Sequence, residues 1–265
     1  MPTGSGQDPR YAHVPAMRTH RSLTVHCQGP AAHQVEHLAP GPLGAMETHV
    51  WFGTLASLEK RMERYHALLD EEERARADRF RFAKDRDRYI LGHGLLRETL
   101  GRYLGRPAPE LKLLRGEFGK PFLEAHPVHF NLSDTKDAVL VALAHQPIGA
   151  DIETMNRQTD HERVATHYFT PREVSGILHA ADGKQRFLEL WTRKEAVLKA
   201  CGVGLMDDLH SLEVGSALNR MQITHPDFVR LAAAEYHVRT VLAGEDHVIS
   251  TATATTGHGW RLIAA

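Results

Sequence analysis

Apolar residues recur at helical spacing in several stretches of the chain. Residues 85–104 carry one continuous apolar face and predict a long helix. The highly charged stretch 58–82 predicts two helices that meet near residues 69–70, because Asp70 followed by Glu73 is typical of a capping box. Further helices are predicted over residues 160–167, 171–179 and 183–201.

Short apolar stretches between these helices predict strands. They cover residues 48–55, 112–115, 128–131, 139–144, 148–153, 212–214, 236–242, 248–254 and 260–263. Helices and short strands therefore occur twice, before and after about residue 147, with no linker between them. This order predicts an α+β fold of two similar lobes, an N-terminal lobe over 47–147 and a C-terminal lobe over 148–265.

Residues 1–46 show neither the helical nor the strand spacing of apolar residues, and they are rich in Gly, Pro, His, Ala and Gln. They are predicted to form a disordered leader. Met46 stands just before the first predicted strand, which raises the hypothesis that part of the leader is an upstream translational extension.

Composition narrows the class of protein. The 265 residues are 42% hydrophobic, enough for one large or two small domains, and 32 basic residues balance 33 acidic ones. Overall charge therefore gives no indication of a nucleic-acid or membrane-surface partner. Two cysteines do not support a disulfide framework or a Cys-rich zinc site. With no apolar run near the roughly 20 residues of a membrane span and no secretory signal, the chain is predicted to be cytoplasmic.

The 19 histidines are scattered. The stretch "HERVATH" (residues 161–167) has the wrong spacing for the zinc motif H-E-x-x-H. Most histidines are therefore interpreted as surface residues.

The stretch "IGADIE" (residues 148–153) places two acids on a predicted strand. Asp151 and Glu153 share one face of that strand, while Ile152 points into the core. Two neighbouring carboxylates repel each other unless a cation or a proton lies between them, which favours a hard divalent ion such as Mg²⁺ or Mn²⁺. The alternative is a strand end that emerges into solvent, the more frequent explanation for an isolated D-x-E.

The predicted helix 183–201 carries a third acid. Trp191, Glu195 and Lys199 lie at i, i+4 and i+8 and form one stripe, with Lys194 beside it. The alternative is a solvated Glu–Lys pair, but an exposed indole on such a face is uncommon, so the stripe is expected to face protein or ligand. Three carboxylates with lysines nearby predict phosphoryl-type chemistry on a metal-bound substrate.

These two motifs together carry a family resemblance. G-x-D-I-E, followed about 40 residues later by W-x-x-K-E-A-x-x-K-x-x-G-x-G-L, resembles the 4′-phosphopantetheinyl transferase family in its large, pseudo-dimeric Sfp-type branch. Supporting stretches lie in the same order as in the family: "ERARADRFRFAKDRDRY", "GKPFL", "FNLSDT" and "HYFTPREV". The resemblance covers the chain from about residue 48 to the last predicted strands.

The resemblance implies a fold and a reaction. The fold has two α+β lobes related by pseudo-twofold symmetry, with coenzyme A and Mg²⁺ in the cleft between them. The reaction transfers the 4′-phosphopantetheine arm of coenzyme A to a serine of an acyl or peptidyl carrier protein, in fatty-acid, polyketide or non-ribosomal peptide synthesis, and releases adenosine 3′,5′-bisphosphate. Two fused lobes would make a monomer sufficient, and the acceptor surface is expected over residues 155–169.

The resemblance also implies roles for individual residues. Asp151, Glu153 and Glu195 would hold the metal, Glu195 would also be the base for the carrier serine, and Lys199 would contact the pyrophosphate. The remaining residues expected at coenzyme A are Arg76, Lys120, Pro121, Ser133, Asp134 and Lys194. Without the family context, the favoured explanations are a solvated helix charge for Arg76 and a turn lysine for Lys120, and Ser133 is equally well a turn residue bonded to its own backbone.

Three positions depart from the family pattern. Asp134 stands where the family usually has a histidine, and its carboxylate would repel a coenzyme A phosphate unless it bonds a hydroxyl, an arginine or a metal-bound water. His93 stands where relatives carry arginine, and Ala150 replaces a larger aliphatic residue. Two other functions stay open: a Mg²⁺-dependent phosphodiesterase or pyrophosphatase, and a non-catalytic module that binds carrier proteins.

Overall fold

The structure is a computed structural model that describes residues 20–38, 40–124, 126–204, 206, 208–257 and 259–265. Its helices are α1 (Leu55–Leu58), α2 (Met62–Leu68), α3 (Glu71–Asp78), α4 (Ala83–Leu104), α5 (His161–Tyr168), α6 (Pro171–Leu178), α7 (Gly183–Cys201) and α8 (Pro226–Leu231). Its strands are β1 (Arg21–His33), β2 (Glu47–Thr54), β3 (Leu113–Arg115), β4 (Pro121–Leu123), β5 (His129–Asp134), β6 (Ala138–Ala144), β7 (Ile148–Thr154), β8 (Leu218–Ile223), β9 (Glu235–Ala243), β10 (His247–Thr253) and β11 (Gly259–Ala264). In the described parts of the chain, none of these helices is both long and apolar enough to cross a membrane.

The same order of elements occurs twice. In the first half β2 is followed by α1–α4 and then by β5 and β6, and the strands lie in the order β2-β6-β5. In the second half β7 is followed by α5–α8 and then by β9 and β10, in the order β7-β10-β9. All neighbours within both triplets are antiparallel. The fold is therefore α+β and built mainly from two sheets, of five and four strands, each packed with helices, while β3 and β4 form a separate antiparallel hairpin.

The two sheets pack against each other through small apolar side chains. Alternate residues of β6 and β7, including Ala142, Ala150 and Ile152, form a fully buried cluster between the sheets. Each sheet carries helices on its other face: α4 on the first sheet and α7 on the second. Because side chains alternate along a strand, the even-numbered residues of β7 face the other lobe and the odd-numbered residues face α7.

Helix ends follow the capping signals of the sequence. Asp70 and Glu73 form a complete capping box at the start of α3, as predicted, and Thr170 and Glu173 form a second one at the start of α6. Helix α7 has the predicted bounds and ends at Gly202, whose φ of 85° lies in the left-handed region that glycine adopts without strain.

The structure differs from the sequence prediction at both ends of the chain. Residues 21–33, predicted as part of a disordered leader, form β1, which lies between β9 and β8 in the second sheet. Leu23, Val25 and Cys27 are buried and alternate with partly buried residues, so a strand period was present but too short to stand out among Gly, Pro and His. Residues 1–19 of the predicted leader lie outside the described residues.

The last strand, β11, pairs in parallel with β2, so the end of the predicted C-terminal lobe completes the sheet of the N-terminal lobe. The strand predicted at 212–214 is wrong, because those residues follow a 3₁₀ turn at Leu209–Ser211 and the strand β8 begins later, at Leu218. Strand β4 and helix α8 were not predicted.

Candidate active site

A glycine determines how closely helix α7 lies on strand β7. A Cβ atom on Gly149 would lie 2.0 Å from the carbonyl oxygen of Ala196 and 2.2 Å from the amide nitrogen of Ala200. Any other residue at position 149 would therefore push α7 away from the strand. Because Asp151 lies on the same face of β7 as Gly149, the close approach brings α7 side chains next to its carboxylate.

Asp151 lies at the centre of the site. Its Oδ1 atom accepts hydrogen bonds from Ser133 Oγ at 2.8 Å and from Lys199 Nζ at 2.5 Å. Lys199 also donates to Ser133 Oγ at 3.1 Å, which closes a three-membered network across the two lobes. The other carboxylate oxygen, Oδ2, is buried and has no hydrogen-bond partner. Such an atom is costly to leave unsatisfied, so Oδ2 is available as a ligand for a cation.

Glu153 and Glu195 extend the negative charge on either side of Asp151. Burial, followed by the charge of Asp151, raises the pKa of Glu153 and of Glu195 to about 7. Arg157 pairs with Glu153 and places its guanidinium 5.6 Å from the ring centre of Trp191. Burial alone would lower the pKa of Lys199, but the carboxylates of Asp151 and Glu195 hold it above its usual value.

The three carboxylates fit a hard divalent cation. They come from β7 and α7, burial and the charge of Asp151 raise the pKa of both glutamates, and Asp151 holds an unpartnered buried oxygen. In the described residues their oxygens do not all lie within 4.8 Å of one another; Asp151 contacts Ser133 and Lys199, and Glu153 contacts Arg157. Oxygen-only donors of this kind suit Mg²⁺ or Mn²⁺ rather than a softer metal.

We expect Mg²⁺ to stabilise the protein more at high pH than at low pH. Folding raises the pKa of Glu153 and Glu195 from 4.5 to about 7, so the folded chain holds more protons than the unfolded chain between these values. The metal-free protein therefore loses stability as pH rises through this window and does not regain it above pH 7. The rise in melting temperature on adding Mg²⁺ should accordingly be larger at about pH 8 than at about pH 5.5.

The matched control for this measurement is the double variant Glu153→Gln, Glu195→Gln, in which the Mg²⁺ effect should be small at both pH values. An equal Mg²⁺ effect on the wild type at both pH values would contradict the assignment of these carboxylates.

Lys120, which the sequence predicts to bind the donor, contacts both β7 and α7. Its Nζ atom donates to the carbonyl oxygen of Ile148 at 2.9 Å and to that of Lys199 at 2.5 Å, so it joins the β3–β4 hairpin to the start of β7 and the end of α7. Burial lowers the pKa of Lys120 to about 8. It is therefore not a solvated turn lysine, and Pro121 follows it as the first residue of β4.

Other predicted residues have contacts outside this network. Arg76 is exposed on α3, with its guanidinium 5.7 Å from the ring centre of Tyr89. Asp134 is exposed at the end of β5 and accepts from Arg88 Nε at 2.7 Å. An arginine is one of the partners expected for an acid at this position, because its positive charge offsets the repulsion between the Asp134 carboxylate and a phosphate. His93 stacks on Tyr89 with ring centres 4.0 Å apart.

The prediction that Lys194 binds coenzyme A is corrected by the structure. Lys194 is fully buried on the side of α7 away from β7, and its Nζ atom lies 2.8 Å from Glu173 Oε2. The same ammonium donates to the carbonyl oxygens of Tyr168 and Leu209 at 3.3 and 3.1 Å. With its donors committed inside the C-terminal lobe, Lys194 cannot reach a ligand in the cleft.

Three residues of the site were not singled out from the sequence. Arg157 pairs with Glu153, Arg88 pairs with Asp134, and Asn131 Oδ1 accepts the amide of Ala150 at 2.8 Å, which holds β5 against β7. Arg88 and Asp134 are far apart in sequence, so no local pattern could have linked them.

Comparisons with known proteins agree with these features. The sequence profile of the 4′-phosphopantetheinyl transferase superfamily matches residues 147–252, and that of the 4′-phosphopantetheinyl transferase N-terminal domain matches residues 56–146. The 4′-phosphopantetheinyl transferase HetI of a Nostoc species is 32% identical over 222 residues, which cover 81% of this chain and 90% of HetI. The 4′-phosphopantetheinyl transferase Sfp of Bacillus subtilis is 32% identical over 155 residues, covering 57% of this chain and 68% of Sfp.

Proposed function

The chain belongs to the 4′-phosphopantetheinyl transferase superfamily, and we propose that it transfers the 4′-phosphopantetheine arm of coenzyme A to a serine of an apo acyl or peptidyl carrier protein. The observation that carries the proposal is the close packing of α7 on Gly149, which places Glu195 and Lys199 beside Asp151. The second product is adenosine 3′,5′-bisphosphate. Because Ser133 of one lobe and Asp151 of the other meet in one site, the reaction needs no second copy of the chain.

In the proposed reaction the carrier serine displaces one phosphate of the coenzyme A pyrophosphate. The serine oxygen forms a bond to the phosphorus that bears the pantetheine arm, and the bond from that phosphorus to the bridging oxygen breaks. Glu195 takes the serine proton. A carboxylate within hydrogen-bond reach of the serine hydroxyl can act as its general base.

Asp151, Glu153 and Glu195 would hold Mg²⁺ or Mn²⁺, which supplies positive charge for the pyrophosphate when it is bound. Lys199 contacts the pyrophosphate from the side of α7, and its bond to Asp151 fixes the direction of its ammonium. Ser133 donates its hydroxyl to Asp151, so its role is to position Asp151 and Lys199. Lys120, Pro121, Arg76 and the Asp134–Arg88 pair would line the nucleotide side of the donor site.

Mass measurement of an intact carrier protein tests the proposed function. Purified protein is incubated with coenzyme A, Mg²⁺ and an apo carrier protein, and the carrier should gain the mass of the phosphopantetheine arm. Release of phosphopantetheine without any carrier would instead support a phosphodiesterase or pyrophosphatase. Carrier binding with no gain in mass would support a non-catalytic binding module.

We expect adenosine 3′,5′-bisphosphate to bind more weakly as pH rises above 8. The ammonium of Lys120 loses its proton near this pH in the free protein because burial lowers its pKa to about 8. The phosphates of the ligand are already fully ionised, so their own titration contributes little. Affinity should fall about 10-fold between about pH 7 and about pH 9, as measured by calorimetry.

The variant Lys120→Arg provides the control, because arginine keeps its charge over this range. Its affinity can differ from that of the wild type, but it should change little with pH. If the wild type also shows no change, Lys120 does not contact a phosphate of the nucleotide.

A further inference from the structure

A second cluster of metal-ligating side chains lies on β1 and β9. His26 and His237 are register partners in this parallel pair of strands, and Glu235 precedes His237 by two residues. Residues two apart on a strand share a face, so all three side chains project to the same side of the sheet. In the described residues this is the cluster of three or more His, Cys, Asp and Glu ligands whose donor atoms all lie within 4.8 Å of one another.

The donor atoms of this cluster converge on one point. Nε2 of His26 lies 2.7 Å from Glu235 Oε1, and Nε2 of His237 lies 3.0 Å from the same oxygen. The two imidazole rings are stacked, with centres 4.7 Å apart and planes at 9°. Both ring nitrogens thus already point at the carboxylate, and modest side-chain rotation would direct all three donors at a shared ion.

The cluster is separate from the candidate active site. Tyr236 and Val238 alternate along β9 with Glu235 and His237, and they belong to the apolar cluster under α7. Val25 and Cys27 on β1 belong to the same apolar cluster. His26, Glu235 and His237 therefore project from the opposite face of the sheet, whereas Asp151 and Glu153 face α7. A metal bound at this cluster would not contact the carboxylates of the active site.

The surroundings leave room for an additional ligand. His26 and His237 line a cleft whose other walls include Thr256, Gly257 and Trp260. Arg239, the nearest cation along β9, places its guanidinium over the Trp260 ring at 5.3 Å. Three protein ligands beside an open cleft leave a fourth tetrahedral position accessible to water.

We propose that His26, Glu235 and His237 bind one divalent ion of borderline softness, with Zn²⁺ as the representative. Two imidazoles and one carboxylate suit zinc, whereas Mg²⁺ prefers oxygen ligands only. The bound ion joins β1 to β9 and so fastens the N-terminal strand to the second sheet.

Zinc titration tests this proposal. It is carried out in a large excess of Mg²⁺, which keeps the carboxylates of the active site occupied. A chromophoric chelator competes for Zn²⁺ with the wild type and with three variants, His26→Gln, Glu235→Gln and His237→Gln. Each variant should bind Zn²⁺ at least about 10-fold more weakly, since even the loss of a residue behind a ligand typically has that effect. Zn²⁺ should also raise the melting temperature of the wild type more than that of any variant.

The matched control is His210→Gln, because His210 is an exposed histidine 2.9 Å from a carboxylate, that of Asp208, with no second imidazole in the pair. It should bind Zn²⁺ like the wild type. Circular dichroism of the metal-free proteins checks that all variants fold, and Glu235 is exposed enough for its exchange to leave the core intact. Equal zinc affinity in the wild type and the three variants, or an equal loss in His210→Gln, would overturn the proposal.

Discussion

Glu195→Gln should lower the rate of holo-carrier formation by about 10²- to 10⁴-fold, the range that general acid–base catalysis contributes. The exchange keeps the size of the side chain but removes the group that accepts the serine proton. It also removes one of the three proposed metal ligands, so the effect should lie toward the upper end of the range. The rate is measured from the intact mass of the carrier at saturating coenzyme A and Mg²⁺.

Stability separates a loss of catalysis from a loss of fold in this variant. Folding raises the pKa of Glu195 to about 7, so its ionised carboxylate opposes folding in the metal-free protein above that pH. Glu195→Gln should therefore be at least as stable as the wild type at about pH 8 without Mg²⁺. Glu245→Gln, in the exposed turn between β9 and β10, should change neither rate nor stability. Near wild-type turnover in Glu195→Gln would refute its assignment as the base.

The sequence predicted the elements of the site well because their signals are local. Helix α7 was predicted with its observed bounds, since its apolar period is long and Gly202 ends it. The face of β7 that carries Asp151 and Glu153 followed from the alternation of a strand, and Ile152 is buried between the sheets as expected. The family resemblance implied that β7 and α7 lie close together. The physical cause of this proximity is that Gly149 has no side chain, which is visible only in the structure.

Features that depend on distant partners were not predictable in this way. Strand β1 is fastened by β9, which lies about 200 residues later, and its own sequence contains Gly, Pro and several polar residues. Lys194 lies next to Glu195 on α7, and the helical period alone does not say which side of the Trp191 stripe is buried. The partner that decides this is Glu173, on a different helix.

Comparison of the two lobes explains why Lys194 is structural. In the first lobe Glu73, in the capping box of α3, pairs with the fully buried Arg97 of α4, which also donates to the carbonyl oxygens of Ala108 and Leu111. In the second lobe Glu173 occupies the same position in the capping box of α6 and pairs with Lys194 of α7. Each lobe thus uses one buried cation to join the start of a short helix to the long helix and to a following loop.

Lys194→Met should reduce the free energy of unfolding by about 3–5 kcal/mol, because it leaves one partner of a buried ion pair uncompensated. Glu173 would keep its bonds from the amides of Thr170 and Val214 but lose its cation, and the carbonyl oxygens of Tyr168 and Leu209 would lose a donor. Denaturant unfolding measures the loss. Under conditions where the variant is folded, its KM for coenzyme A should match that of the wild type.

Two further variants show whether the loss comes from the unpaired charge. Lys194→Met combined with Glu173→Gln should be more stable than the sum of the two single variants predicts, because the double variant buries no unpaired carboxylate. Arg230→Met breaks the exposed contacts of Arg230 with Glu117 and Asp227 and should have little effect, since solvent screens such pairs. If Lys194→Met had normal stability and a raised KM for coenzyme A, the result would instead support the original prediction that Lys194 binds coenzyme A. Glu173 could not then be its main partner.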